Sequence, residues 1–232
     1  MASLQTIVAV ARQKASEGAD PFLAWPGWEH LRYAGLLSLA NALWFVLVYD
    51  GADFLTARRS FRVPVHFPAE LSIPFVPAMT VFYMSIYLLF LAAPFILRTR
   101  HEFRALVSTL AFVIFCGGIG FLLFPGELAF APPRKGELGM WAGLYHFADT
   151  LNLTYNLVPS LHVALNVVCV TVFSSRAPAR GKVLLWLWAM LIAASTILTH
   201  QHHVLDVATG WLLAVVGEKA VFRRFASDFR SS

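Results

Sequence analysis

The residues able to do chemistry stand at the two ends of one stretch, Asn156 to Gly210. One end reads Asn156-Leu157-Val158-Pro159-Ser160-Leu161-His162, the other Thr199-His200-Gln201-His202-His203-Val204-Leu205-Asp206. His202 and Asp206 are four apart, so on a helix they share a face one turn apart. A carboxylate bonded to one imidazole nitrogen fixes the tautomer and leaves the other nitrogen free to attack, which makes a histidine a nucleophile. Pro159 and Ser160 suit a helix start, because the N–H that proline lacks is unpaired in a first turn anyway. The free N–H groups of that turn and the positive end of the helix dipole attract anions, phosphate above all. Ser160 adds a hydroxyl, Leu161 lies in the same turn, and His162 sits beside whatever anion binds there. A phosphate also calls for positive charge, and Arg134 and Lys135, just after Pro132-Pro133, are the natural candidates. Each feature has a bland counterpart: a plain helix start, a His–Asp bond that only ties two helices, and solvated loop cations.

The elements that position these residues are membrane helices. Of 232 residues, 58% are hydrophobic and 13% charged, against about 45–50% and roughly 25% for a soluble domain. The mean hydropathy is +0.65. The net charge of +5 comes without like-charge blocks or an Arg-rich face, which argues against a nucleic-acid partner. Cys116 and Cys169 lie inside apolar runs and are expected to be small buried hydrophobes. Six apolar stretches follow, at roughly 33–50, 72–97, 104–124, 159–175, 183–199 and 203–222, each near the ~20 residues that cross a bilayer. The expected architecture is an all-α, six-helix integral membrane bundle over 33–222, with a leader at 1–32 and a tail at 223–232. Ile7 to Lys14 of the leader could lie on the membrane surface. The second stretch carries Pro74, Pro77 and Pro94 and is expected to begin before the bilayer and to kink.

Lys and Arg set the orientation. With the N-terminus inside, thirteen of them fall on the inner side and five on the outer, which predicts cytoplasmic termini. His162, His202 and Asp206 then share the outer, periplasmic or luminal, face. The longest connection, Pro125 to Val158, has 34 residues, and loops of that length are usually functional. Its second half, Met140-Trp141-Leu144-Tyr145-Ala148-Leu151, has helical spacing and predicts a short interfacial helix over the outer face. Asn152-Leu153-Thr154 matches a glycosylation acceptor, a tripeptide common by chance.

Pro159-Ser160-Leu161-His162, and Ser195-Thr196 followed by His202 and Asp206, resemble the second and third signature motifs of the type 2 phosphatidic acid phosphatase superfamily. The resemblance implies lipid-phosphate chemistry through a covalent phosphohistidine, with no metal and no other cofactor. His202 would attack phosphorus, Asp206 would orient it, and His162 would protonate the leaving oxygen. Lipid phosphates or phospholipids in the bilayer would be the substrates; the oligomeric state is left open. The first signature, a Lys six residues before Arg-Pro, is absent, and Pro133-Arg134-Lys135 is its nearest counterpart. Leu161 replaces the usual Gly and Thr196 the usual Arg, changes that resemble the ceramide phosphotransferase branch. Three readings follow: a phosphatase, a phosphotransferase moving a phospho-headgroup onto ceramide or diacylglycerol, and an inactive carrier or assembly factor. A histidine-box metal enzyme is a further rival, but only His200, His202 and His203 cluster.

Overall fold

The computed structural model describes residues 21–134 and 136–228, with the side chains of 226–228 left aside. The surface helix expected in the leader and Lys135 therefore lie outside the described residues. Every regular element among the described residues is helical, apart from one isolated bridge between Val63 and Gly126.

The first pass is α1, Trp28–Thr56. The second opens on a 3₁₀ turn, Pro77–Met79, and runs through α2, Thr80–Met84, into α3, Ile86–Ile96. Its expected kink falls at Ser85, whereas Pro94 stays inside α3. The Ser85 hydroxyl donates to the Phe82 carbonyl at 2.7 Å and accepts the Trp188 indole N–H at 2.8 Å, a side chain competing with the backbone ladder. Then come α4, Arg100–Leu123, the short α5, Ala142–Thr150, and α6, Leu161–Ser174. Next are α7, Ala179–Leu198, and α8, Val204–Gly217. The last pass continues through a π-helical stretch, Glu218–Phe222, into α9, Arg223–Asp228. The short helix expected in the long connection is α5.

The described residues thus make six helical passes along the bundle. Four passes are long and apolar enough to cross a membrane: Trp28–Thr56, Pro77–Ile96, Arg100–Leu123 and Ala179–Leu198. α6 has only 14 residues, roughly 21 Å at the helical rise. It can be short because it is central, packed by α3, α4, α7 and α8. Its sequence is apolar on every side, the mark of a buried helix, and all its residues but His162 and Thr171 are buried. Cys169 is buried and Cys116 partly so, both as free thiols.

Two glycines let α4 and α8 close on the start of α6. A Cβ at Gly210 of α8 would stand 2.4 Å from the Ser160 carbonyl oxygen, and one at Gly120 of α4 would stand 2.4 Å from the Pro159 ring. No side chain fits at either contact, so the backbones approach as small residues allow in membrane bundles.

Candidate active site

The start of α6 is set by Ser160, not by Pro159. Ser160 is extended, its hydroxyl accepts the Val163 N–H at 3.3 Å, and its carbonyl accepts the Ala164 N–H at 3.0 Å. A serine cap of this kind outweighs proline's preference for the first turn, so the helix begins two residues after the expected start. The Ser160 hydroxyl is thereby committed to the helix, and its own N–H donates to the Asp206 carbonyl at 3.0 Å. Leu161 packs its side chain toward Gly117. His162 stacks on Tyr83, 4.0 Å between ring centres, and its Nε2 lies 2.9 Å from the Tyr83 carbonyl oxygen. A carbonyl only accepts, so Nε2 carries the proton and Nδ1 is the open nitrogen.

The three clustered histidines lie on the turn from α7 to α8. α7 ends in a Schellman motif: the Gln201 N–H reaches the Thr196 carbonyl and the His200 N–H the Ile197 carbonyl, each at 2.9 Å. The residue in the left-handed conformation is His200, φ 56°, where glycine is usual. Its ring stacks on Phe130 at 3.9 Å and its Nε2 donates to the Ile73 carbonyl at 3.0 Å. His202 precedes α8 by two residues, so it meets Asp206 from an extended step and not from a helix face. Its Nδ1 lies 3.3 Å from Asp206 Oδ2, which also accepts the His203 N–H at 2.8 Å. Asp206 is fully buried, and its Oδ1 has no partner. His203 accepts the Ala129 N–H on Nε2 at 3.1 Å and therefore donates from Nδ1 to Glu70 at 3.0 Å. Neither nitrogen of His203 is left to react.

His162 and His202 line one cavity of about 460 Å³. Asn152 and Asn156 stand at the same end, and the space runs between α1, α3, α4 and α6 to Ala93 and Phe103. Tyr83 and Ala93 both line it and are ten residues apart, about 15 Å of helix. The walls are apolar side chains such as Phe45, Ile86, Leu106 and Leu110. Two amide oxygens of lining residues, on Asn41 and Asn156, are buried without a partner. Val46 of α1 and Tyr87 of α3 line the slot and are about half exposed, so it opens sideways between those helices. No described Lys or Arg lines it.

Arg134 goes elsewhere. It lines a second cavity of about 660 Å³ with His146, Asp149, His200 and Gln201. Its side chain is exposed and its N–H donates to the Glu137 carboxylate at 2.8 Å. Lys135 lies outside the described residues. A chain of side chains separates the two cavities. Tyr83 Oη donates to Asn152 Oδ1 and Asn152 Nδ2 to Gln201 Oε1, each at 2.7 Å, and Gln201 Nε2 donates to Tyr145 Oη at 3.2 Å. Asn152 of the glycosylation-like tripeptide is therefore engaged at both ends of its amide. Burial, with Asp149 nearby, pushes the Tyr145 phenol up to about 12, so it remains neutral. Thr196 is buried and its hydroxyl donates to the Ala193 carbonyl at 2.8 Å.

Sequence reasoning missed Glu70. It lies on a 3₁₀ turn, Pro68–Ser72, and is buried. Burial alone pushes its carboxyl up. The N–H groups of Val204 and Phe67 and the His203 imidazole outweigh that and hold it below the usual value of 4.5. The available signal was a lone acid in an apolar run, Phe67-Pro68-Ala69-Glu70-Leu71.

A family model described as the PAP2 superfamily matches residues 70–219, from Glu70 through the whole of α8. No curated protein and no solved structure matches the chain.

Proposed function

The chain belongs to the PAP2 superfamily, and on that premise we propose that it is a membrane-embedded lipid-phosphate phosphatase working through a phosphohistidine on His202. Members of the superfamily are phosphoryl-transfer enzymes acting on lipid phosphates. The observation that carries the reading is the pairing at the head of the apolar slot: His202, backed by Asp206, shares that space with His162. The tail lies in the slot and the phosphate at its head, on the outer or luminal side that the Lys/Arg distribution favours.

The chemistry follows from the two open nitrogens. Nε2 of His202 attacks phosphorus while Asp206 holds the proton on Nδ1. The P–O bond to the lipid breaks, and His162 gives the leaving oxygen a proton from Nδ1, keeping Nε2–H on Tyr83. His162 then takes a proton from water as that water attacks phosphorus, the P–N bond breaks, and phosphate leaves. The phosphate charge is met by the Leu161 and His162 N–H groups, which the Ser160 cap leaves unused in the first turn of α6, and by the dipole of that helix. Two histidines in opposite protonation states give a bell-shaped pH profile.

A second reading has its own observation. With no Lys or Arg among the described residues that line the slot, a singly charged phosphodiester suits the site better than a dianion. The phospho-headgroup would then pass from His202 to a lipid alcohol such as ceramide or diacylglycerol. The test is phosphate release by the purified protein in detergent, with EDTA, from a panel of lipid monoesters and diphosphates. Metal-independent release that disappears in His202→Ala supports the phosphatase. Headgroup transfer without release selects the phosphotransferase. Inactivity in both assays, with unchanged cellular function in His202→Ala, leaves the inactive carrier.

A further inference from the structure

The most heavily bonded carboxylate near the site belongs to none of the three residues assigned to the reaction. Glu70 Oε1 accepts the Phe67 N–H at 3.2 Å, and Oε2 accepts the Val204 N–H and His203 Nδ1–H, each at 3.0 Å. Val204 is the first residue of α8, where backbone N–H groups have no partner within the helix. A carboxylate 134 positions earlier in the chain therefore caps the helix that carries Asp206. It also complements the positive end of that helix.

His203 stands between two carboxylates. Its side chain is bound to Glu70, and its backbone N–H is bound to Asp206 Oδ2. That same oxygen receives His202 Nδ1, while Oδ1 of Asp206 has no partner. The direction of Asp206 thus depends on two donors at one oxygen, and Glu70 anchors the residue that supplies one of them. Glu70 does not line the slot, so it has no contact with a substrate held there. Glutamine cannot replace it without loss, because three donors converge on two oxygens and an NH₂ would face at least one of them.

We propose that Glu70 is a positioning residue for His202: through His203 and Val204 it fixes the start of α8 and so holds Asp206 in line with the nucleophile. Its catalytic consequence rests on the function proposed above, but its structural consequence does not. The experiment is NMR of the full-length protein, labelled with ¹⁵N-histidine, in detergent. Imidazole N–H protons bonded to carboxylates resonate downfield, and His202→Ala and His203→Ala assign the two signals. Glu70→Gln is expected to abolish the His203 signal and to move the His202 signal upfield, although Glu70 does not touch His202. Glu70→Asp keeps the charge but withdraws it from α8. It is expected to move the His202 signal as well, and it decides the matter if Glu70→Gln does not fold. In turnover, Glu70→Gln is expected to lower kcat at least ~10-fold with KM within about twofold. A His202 signal unchanged in the folded Glu70 variants overturns the proposal, whatever happens to the melting temperature. If the wild-type protein turns over no lipid phosphate, the proposed function fails, and the resonances still decide the role of Glu70.

Discussion

At the scale of single residues, burial and hydrogen bonding set the histidines apart from one another. His202 bonds to Asp206 through Nδ1 and lines the slot, whereas both nitrogens of His203 are engaged. Asp206→Asn removes the negative charge that favours the Nδ1–H tautomer of His202 and its positive charge during attack, and is expected to lower kcat on the order of 10³-fold or more. Steady-state kinetics should show KM little changed. Glu70 gives a pH dependence of known sign. Its folded-state value lies below 4.5, so its contribution is complete above the unfolded carboxylate range and is lost as pH falls through the folded value. Melting curves in detergent should therefore show the stability gap between wild type and Glu70→Gln closing below about pH 4.5. His162, His202 and Asp206 were legible because their spacing and the alternation of spans bring them to one end. Glu70 was not, since nothing in a sequence links an acid in one loop to a helix start so far away.

At the scale of elements, the site depends on the start of α6 being gripped by its neighbours. Gly210→Ala would push a methyl group against the Ser160 carbonyl, a backbone atom that cannot swing aside. The expected cost is about 1–3 kcal/mol, as for overpacked cores, seen as a lower melting temperature. Because Ser160 bonds to the Asp206 carbonyl, kcat should fall as well, which a distant core mutation of equal cost would not cause. The all-helical class and the four helices long and apolar enough to cross a membrane were legible from the apolar runs. Helix ends were less so: a serine cap moved the start of α6, and the second pass broke at Ser85 because its hydroxyl bonds the backbone. The left-handed His200 was also hidden. Its ring stacking on Phe130 and its bond to Ile73 offset a conformation that normally selects glycine.

At the scale of the whole molecule, the slot is the feature the sequence concealed most fully. Its walls are the same Leu, Ile, Val and Phe that face lipid elsewhere, and hydropathy cannot separate a residue lining a cavity from one facing acyl chains. Ala42 of α1 lines the slot from its open side. Ala42→Trp is expected to raise KM at least ~10-fold for long-tailed substrates while sparing short-tailed ones, because only the former fill the ~15 Å depth. A chain-length series run on both proteins checks this.

The doorway between α1 and α3 has a kinetic consequence. On the proposed function, a substrate that slips in from the side never dissolves in water on its way to His202, and a lipid product leaves by the same plane. The concentration that governs turnover is then a surface density, counted per lipid or detergent molecule and not per litre. Diluting a fixed amount of substrate with more detergent should slow the enzyme even when the bulk substrate concentration is unchanged, while adding buffer at a constant micelle composition should leave the rate per enzyme molecule as it was.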